Sequence, residues 1–355
     1  MCLIQLYATS PPSKDFFLMK QKELPLVALL YQEKLTFLTP GFPFPSGLDN
    51  MKYLITIIGP TAIGKTSLSI VLANYFKCAI LSCDSRQFFK EMTIGTAVPN
   101  VAELKAAPHH FIQNKSIFEN YTVGDFEKEA IAKLDELFLN SDYAILVGGS
   151  GLYVDAILKG FDEFPEINAS VRTEINLNYE KLGIGYLQQK LEILDPDYYK
   201  TLTVENPQTL QNPQRMMRFV EVCLGSGKPY SSYLNQKKNS RNFTPILIGL
   251  EADRKIIYSR INQRVDIMMT EGLLAEAKTL FPNKELNALQ TVGYRELFSY
   301  FDREISLEFA IEEIKKNTRR FSKRQLTWFK RNENTKWFDF ETPYETIVDY
   351  VNSKK

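Results

Sequence analysis

From residue 51 onward, apolar runs of strand length alternate with segments of helical spacing. The run YLITIIG (Tyr53–Gly59) is continuously apolar, which is typical of a parallel strand buried on both faces. Two similar runs, CAILSC (78–83) and YAILV (143–147), follow along the chain. After the first run, apolar side chains recur at helical spacing at Leu68, Val71, Leu72, Tyr75 and Phe76. The alternation predicts an α/β fold with a doubly wound parallel sheet.

The segment between the first strand and the first helix is GPTAIGKT (Gly59–Thr66). A glycine, four residues and then Gly-Lys-Thr is the pattern of a phosphate-binding P-loop, and its flanking strand and helix are the required setting. Backbone N–H groups and the positive end of the helix would face an anion there. The predicted diphosphate- or nucleotide-binding residues are Gly59, Pro60, Thr61, Ala62, Ile63, Gly64, Lys65 and Thr66, with Thr66 also offering a hydroxyl to Mg²⁺.

Polar residues follow the other two strands where each strand ends. Asp84-Ser85-Arg86-Gln87 come after the second run, and glycines with Ser150 come after the third. Because parallel sheets bind ligands at the carboxyl ends of their strands, these residues and the P-loop should meet in one crevice. ATPases and GTPases usually end such a strand in an aspartate that holds Mg²⁺, whereas Ala144–Val147 ends in glycines. Asp84 is therefore predicted to be a base facing a substrate, with an N-cap or turn residue as the alternative.

Composition narrows the class of protein. The 355 residues are 44% apolar with a formal charge of +1, so any basic surface must be local. The four cysteines form no Cys-x-x-Cys pair, which argues against a structural zinc site and favours a reducing, cytoplasmic compartment. The two histidines are adjacent, and His109-His110 are predicted to order a loop under the crevice. No apolar run approaches the roughly 18 residues of a membrane helix.

The pattern divides the chain into several segments. Residues 1–50 contain scattered proline without helical or strand period, and they predict a flexible extension or a stretch upstream of the true start; a structured docking arm is the second interpretation. Residues 51–163 and 240–340 are predicted to form the core. Residues 164–239 are predicted to form a helical insertion, in which Asn212 would cap a helix that stops at Gly225 and Gly227. Residues 341–355 are predicted to be a C-terminal tail.

The most basic stretch is IKKNTRRFSKRQLTWFKR (Ile314–Arg331), with eight lysines or arginines and no acid. On a helix its charges share neighbouring faces, so it predicts a track for a phosphate backbone that includes Arg320 and Lys323. A solvated helix is the alternative, although such helices are normally interleaved with acids. Trp328 and Phe329 would stack on a base or anchor the helix, and core packing is the favoured interpretation.

The motifs, taken in order, resemble a known family. GPTAIGKT, DSRQ, IGTA (94–97), PHH (108–110) and VGGSGLY are followed by QRMMR (214–218), SGKP (226–229), RINQRVDIMM (260–269), VGYRE (292–296) and TRRFSKRQLTWFKR (318–331). This series is similar to that of the tRNA dimethylallyltransferases, also called tRNA isopentenyltransferases, and covers about Met51 to Trp337. The resemblance implies transfer of a dimethylallyl group from its diphosphate to the exocyclic amine of the adenosine 3′ to the anticodon of tRNA.

The resemblance also implies roles for individual residues. Lys65, Arg264 and the P-loop would hold the diphosphate with Mg²⁺, Asp84 would accept the proton, and Ser150 would touch the diphosphate or the target nucleotide. The family usually has threonine at Ser150 and methionine or alanine at Arg86, so local tRNA contacts near Arg86 are an open question. The predicted tRNA-binding residues, with the basic helix included, are Asp84, Ser85, Arg86, Gln87, Ser150, Arg172, Gln214, Arg215, Met216, Met217, Arg218, Gln290, Thr291, Val292, Gly293, Tyr294, Arg295, Arg320 and Lys323. For Arg172 an ion pair at the edge of the core is an equal alternative.

Three other functions fit part of the pattern. A free-nucleotide (adenylate) isopentenyltransferase would use the same donor but needs neither the insertion nor the basic helix. A small-molecule P-loop kinase would consume ATP, which the glycine-ended third strand disfavours. An RNA-binding protein with a vestigial P-loop would leave Lys65, Thr66 and Asp84 unexplained. The leading hypothesis is a monomeric tRNA prenyltransferase with the tRNA anticodon arm and dimethylallyl diphosphate as partners.

Overall fold

A computed structural model describes residues 51–235 and 240–355, so the predicted extension at 1–50 lies outside the described residues. Within these residues, six parallel strands form one sheet in the order β3-β2-β4-β1-β5-β6. The strands are β1 (Tyr53–Ile58), β2 (Ile80–Ser82), β3 (His109–His110), β4 (Tyr143–Val147), β5 (Thr244–Glu251) and β6 (Lys336–Asp339). The doubly wound parallel α/β fold predicted from the alternating pattern is confirmed.

Helices cover both faces of the sheet because its central strand is apolar on both sides. Ile55 and Ile57 of β1 pack with α1 (Lys65–Phe76), α9 (Arg254–Glu271) and α13 (Tyr344–Asn352). Leu54 and Ile58 point to the other face, where they pack with α3 (Val123–Phe138) and α4 (Gly151–Lys159). A strand buried in this way has no solvent face, which explains its unbroken apolar sequence.

The buried face of α1 differs from the predicted one. Val71 and Tyr75 are exposed, whereas Ser69, Leu72 and Ala73 are buried. Small side chains at Ser69 and Ala73 let the helix lie close to the sheet, and this packing outweighs the preference of the larger apolar residues for burial.

Four helices form a further hydrophobic cluster at one side of the sheet. These are α9 together with α10 (Leu273–Leu280), α11 (Tyr294–Phe301) and α12 (Leu307–Phe329). The chain between β2 and α3, which includes α2 (Val101–Ala106), contributes Phe89, Met92 and Ile117 to this cluster. Within the motif VGYRE (292–296), α11 begins at Tyr294, directly after Gly293.

The segment after α4 is helical, as predicted. It contains α5 (Ala169–Leu182), α6 (Ile184–Leu194), α7 (Pro196–Glu205) and α8 (Pro213–Ser226), with short 3₁₀ turns at Pro207–Gln211 and Tyr230–Tyr233. These elements share a hydrophobic cluster of their own, centred on α8. The predicted cap is confirmed, since the Asn212 side chain accepts a hydrogen bond from the Arg215 backbone N–H. Of the two glycines predicted to stop the helix, Gly225 lies within α8, and Gly227 takes a left-handed conformation at its C-terminus.

Two short segments depart from the sequence interpretation. Residues 341–355 were predicted to be a tail, but α13 buries Ile347, Val348 and Val351 in the main core. Its apolar residues recur at helical spacing, which the prediction overlooked. His109-His110 form the edge strand β3 beside β2. None of the helices in 51–235 and 240–355 has both the length and the hydropathy needed to cross a membrane.

Candidate active site

The carboxyl ends of β1, β2 and β4 open into one cavity of about 560 Å³. Its lining includes Thr61 of the P-loop, Asp84 after β2, Ser150 after β4 and Arg264 of α9. The three strands are neighbours in the sheet, so their ends lie at the same edge. The structure thus brings together the three chain segments that the sequence placed in one crevice.

The P-loop has the backbone geometry of an anion site. Gly64 has φ +108°, a conformation that side chains rarely adopt, and it places Lys65 at the first position of α1. The Lys65 ammonium donates to the carbonyls of Gly59 (3.1 Å) and Pro60 (2.8 Å). An ammonium has three donors, so this anchoring leaves one for a ligand. Arg260 Nε donates to the Ala62 carbonyl at 2.8 Å and supports the loop from α9.

Burial lowers the pKa of Lys65 to about 8. Removal from water disfavours the charged ammonium, and the positive charge of Arg264 acts in the same direction, while the negative charge of Asp84 opposes both. The lysine therefore lacks a full counter-charge in this structure. A bound anion would supply one, which is the expected electrostatic state of a phosphate site.

Asp84 lies in a turn and also lines the crevice. One carboxylate oxygen, Oδ1, accepts a hydrogen bond from the Arg86 backbone N–H at 3.2 Å. Asp84 is thus also a turn residue, as the alternative interpretation held. Burial raises the pKa of Asp84 above its ordinary value, although the Arg86 N–H and the charges of Lys65, Arg86 and Arg264 pull it down. A carboxylate with a raised pKa is a stronger proton acceptor than an ordinary aspartate.

Ser150 fixes the turn that carries Asp84. Its hydroxyl accepts from the Ser85 backbone N–H and donates to Ser85 Oγ, both at 3.1 Å, and it is not used to cap α4. A direct contact between Ser150 and a substrate stays a prediction.

Arginines from four segments line the crevice around Asp84: Arg86, Arg264, Arg295 and Arg324. With Lys65 at the P-loop, this lining is strongly cationic and suits a ligand with several negative charges. The crevice role of Arg324 was not predicted, because the sequence places it only within the basic run.

The chain matches known proteins over most of its length. A family model described as IPP transferase matches residues 87–332, more than half of the chain. The chain belongs to the IPP transferase family. The family resemblance seen in the ordered motifs is therefore confirmed.

Individual relatives agree with this assignment. A protein named tRNA dimethylallyltransferase from Flavobacterium johnsoniae is 78% identical over 301 residues, covering 85% of this chain and 97% of that protein. One from Bacteroides fragilis, named tRNA dimethylallyltransferase 1, is 44% identical over 302 residues, with 85% and 98% covered. The crystal structure of a tRNA isopentenylpyrophosphate transferase from Bacillus halodurans has a TM-score of 0.61 at 33% identity, with 85% and 98% covered.

Some residues assigned to tRNA in this IPP transferase have partners within the protein. Gln87 Nε2 donates to the carbonyls of Thr96 (3.2 Å) and Ala97 (2.9 Å), and its Oε1 accepts from Ser82 Oγ. Arg86 Nη1 donates to the carbonyls of Asn287 and Ala288 at 3.0 and 2.9 Å. These contacts hold the walls of the crevice, and direct tRNA contacts of both side chains stay predictions.

The predicted tRNA contacts through Met216, Met217 and Tyr294 are corrected. Met216 and Tyr294 have no exposed surface, and Met217 is only 4% exposed. The methionines belong to the core of the helical insertion, and the Tyr294 hydroxyl donates to Glu276 Oε1 at 2.6 Å. Apolar positions on the inner face of an amphipathic helix pack inward even when they lie within a basic motif.

The remaining residues assigned to tRNA are distributed over three surfaces. Gln290, Thr291, Val292 and Arg295 line the crevice, and Gly293 precedes α11. Arg320 and Lys323 are exposed on α12. On the insertion, Gln214, Arg215 and Arg218 are exposed, whereas Arg172 bonds Glu221 (3.3 Å) and Gln214 (3.0 Å), so its alternative interpretation as an ion-pair residue is realised.

Two residues near the crevice were missed by sequence reasoning. Glu276 of α10 accepts from the backbone N–H groups of Thr93, Ile94 and Gly95, and so fixes the loop that forms one wall of the crevice. Gln325 of α12 is 5% exposed and bonds the P-loop. A signal for Gln325 existed, because it is a polar residue on the buried stripe of α12 and must find partners there.

Thr66 and its surroundings fit a hard metal ion that takes most of its ligands from the substrate. Within the described residues there is no cluster of three or more His, Cys, Asp or Glu side chains able to hold a metal. Mg²⁺ commonly binds one or two protein oxygens, water and the phosphates of a substrate. The Thr66 hydroxyl at the start of α1 offers such an oxygen beside the P-loop.

Proposed function

We propose that this IPP transferase moves a dimethylallyl group from dimethylallyl diphosphate to the exocyclic amine of the adenosine 3′ to the anticodon in tRNA. The observation that carries the proposal is the crevice in which a half-buried carboxylate with a raised pKa, Asp84, lies with the P-loop and cationic side chains. The names of the relatives support the substrate class.

The donor diphosphate is held by the P-loop. Free backbone N–H groups between Ala62 and Thr66, the Lys65 ammonium and the Arg264 guanidinium bind the oxygens that gain charge as the allylic C–O bond breaks. Mg²⁺, held by the Thr66 hydroxyl and the diphosphate, would neutralise part of this charge. The Lys65 ammonium is anchored by the Gly59 and Pro60 carbonyls before the reaction, so this side chain reorganises little as the diphosphate departs.

The acceptor amine is activated by Asp84. The lone pair of the adenine amine is delocalised into the ring, so the amine is a weak nucleophile until its proton can leave. As the new N–C bond forms at the allylic carbon, the diphosphate departs with the electron pair of the C–O bond and the amine proton passes to Asp84. A positioned carboxylate contributes roughly 10²–10⁴ in rate.

The adenosine reaches Asp84 only when it leaves its stack in the anticodon loop, at a cost of a few kcal/mol. We infer that the helical insertion, with helices α5 to α8, and the outer face of α12 hold the two sides of the anticodon arm and offset this cost. The protein is expected to act as a monomer in the cytoplasm, where tRNA is available.

Label transfer tests the proposal directly. Purified protein is incubated with labelled dimethylallyl diphosphate, Mg²⁺ and either unmodified tRNA or AMP, without ATP. We expect label in tRNA only. Label entering only AMP would identify a free-nucleotide transferase, and ATP turnover without transfer would identify a kinase.

Asp84→Asn tests the base, since it keeps the shape of the side chain and removes its ability to take a proton. We expect kcat to fall roughly 10²–10⁴-fold while the Kd for tRNA stays within about twofold. The matched control is Asp142→Asn, which makes the same change at a surface carboxylate that pairs with Lys52 and should leave kcat unchanged. A loss of tRNA affinity equal to the loss of rate would contradict the assignment of Asp84.

A further inference from the structure

Gln325 bridges two loops that belong to different strands of the sheet. Its Oε1 accepts from the backbone N–H of Thr61 in the P-loop at 2.9 Å, and its Nε2 donates to the carbonyl of Gly149 after β4 at 2.9 Å. A side-chain amide offers a donor and an acceptor at the same end, so it satisfies both partners at once. A carboxylate would lose the donor, and an apolar side chain would lose both bonds.

The bridge is part of the packed interior. Gln325 is 5% exposed, and a Cβ added to Gly149 would lie 2.2 Å from Gln325 Nε2, so only glycine permits the approach. One turn further along α12, the Trp328 indole N–H donates to Asp155 Oδ2 at 3.0 Å. The inner face of α12 is therefore fixed against both loops.

The bridge continues to the carboxylate. Gly149 is followed by Ser150, whose hydroxyl bonds both the N–H and the hydroxyl of Ser85, next to Asp84. A chain of hydrogen bonds and backbone thus runs from the loop assigned to the leaving diphosphate to the turn assigned to the base. Since the Thr61 N–H is taken by Gln325, the loop binds an anion through its later N–H groups.

We propose that Gln325 is a positioning residue that, through Gly149 and Ser150, sets the distance between the P-loop and Asp84. The inference rests on the proposed function, because it concerns the separation of donor and acceptor in that reaction. A displacement of about 1 Å between reacting groups costs on the order of 10²-fold in rate even when each substrate still binds. Gln325 itself touches neither the breaking bond nor the forming bond.

The test measures kcat, the KM for dimethylallyl diphosphate, the Kd for tRNA and Tm in Gln325→Met. This change keeps the side-chain length and removes both hydrogen bonds. We expect kcat to fall roughly 10- to 100-fold, with the tRNA Kd and the donor KM within about threefold of the wild type. The matched control is Ser322→Ala, at a 1% exposed position on the same helix outside the crevice lining, which should keep kcat within about twofold.

A double-mutant cycle tests the connection. Ser150→Ala interrupts the same chain at its other link, so the combined loss in kcat should be smaller than the product of the two single losses. Multiplicative losses would overturn the connection. If the methionine variant is poorly folded, Gln325→Asn takes its place. Asparagine keeps a buried amide but is too short to reach both partners, so we expect the same loss in kcat.

The outcomes separate this inference from the proposed function. If the wild type transfers no label to tRNA, the proposed function fails. If the wild type transfers label and both Gln325 variants keep a kcat within twofold, the positioning role fails while the function stands. The positioning role of Gln325 would also be overturned if kcat fell only in proportion to the fraction of unfolded protein and fell equally in Ser322→Ala.

Discussion

Asp84 and Arg86 stand two positions apart on the turn after β2, and their charges act on each other. Burial raises the pKa of Asp84, and the Arg86 guanidinium draws it back down. Arg86 is held in place by the carbonyls of Asn287 and Ala288, so its charge keeps a fixed position. At this turn the chain therefore carries a cation that favours the ionised form of Asp84.

Replacing Arg86 with methionine should therefore move the acid limb of the pH profile upward. In the proposed reaction Asp84 must be ionised to accept the proton, so activity should be lost as pH falls through its pKa. Removing the nearby cation raises that pKa further. The measurement is kcat/KM against pH for the wild type and Arg86→Met. The substrates titrate identically with both proteins, so a difference between the profiles belongs to the protein.

The alkaline limb provides an internal control for this prediction. With the pKa of Lys65 at about 8, kcat/KM should decline above that pH, as the free enzyme loses the charge that we propose binds diphosphate. Arg86→Lys keeps a cation and should shift the acid limb less than Arg86→Met. An acid limb at the same pH in the wild type and Arg86→Met would refute electrostatic coupling between these residues.

The helix α12 uses its faces for different tasks. Ala310, Ile314, Ser322, Gln325 and Phe329 are buried, whereas Arg320 and Lys323 are exposed. Other charges of the basic run are already paired: Lys315 with Asp266 and Glu312, and Lys316 with Glu313. The predicted phosphate track is thus narrower than the sequence indicates, because acids from α9 and from the first half of α12 neutralise part of it.

Removing the charges of Arg320 and Lys323 should weaken tRNA binding and its dependence on salt. Each phosphate contact releases counterions, so the slope of log K against log salt should decrease by about 1 per side chain. The measurement is the tRNA Kd of Arg320→Ala/Lys323→Ala across a salt series, with circular dichroism to verify folding.

Lys354→Ala/Lys355→Ala is the matched control, with the same loss of charge elsewhere. The Lys355 ammonium lies 5.3 Å from the ring centre of Tyr143, the first residue of β4 and so at the edge of the sheet opposite the crevice. This variant should keep the wild-type slope. Equal slopes in all three proteins would exclude the exposed face of α12 as a phosphate track.

At the level of elements, features that depend on neighbouring residues in the chain were predicted correctly, whereas features that depend on packing between elements were not. The caps of α8 follow from Asn212, Pro213 and Gly227, because each acts on the few residues next to it in the chain. The buried face of α1 was mispredicted, since the closeness of helix and sheet decides which side chains are covered. The two-residue strand β3 carries too little sequence to show a period of its own.

At the level of the whole molecule, topology explains which site residues could be predicted. Asp84, Ser150 and the P-loop follow directly from strands, and the rule that parallel strands present their carboxyl ends at one edge suffices to bring them together. Gln325 meets Thr61 across 264 positions and Gly149 across 176. Such contacts depend on how α12 docks, which the pattern of a single segment does not encode.

Because long-range contacts tie the P-loop to other elements, we predict that bound diphosphate stabilises the protein as a whole. The P-loop is tied to α9 through Arg260 and to α12 through Gln325, so an anion bound there should resist unfolding of the core rather than of one loop. Inorganic diphosphate at 100 times its Kd contributes about 2.7 kcal/mol, which corresponds to a rise in Tm of about 5 °C for a large domain. We expect this rise with Mg²⁺, a smaller one in Thr66→Val, and almost none in Lys65→Ala. Calorimetry with excess EDTA provides the decisive comparison: an undiminished rise without metal would contradict the assignment of Mg²⁺ to the Thr66 hydroxyl, because the ion would then add nothing to diphosphate binding.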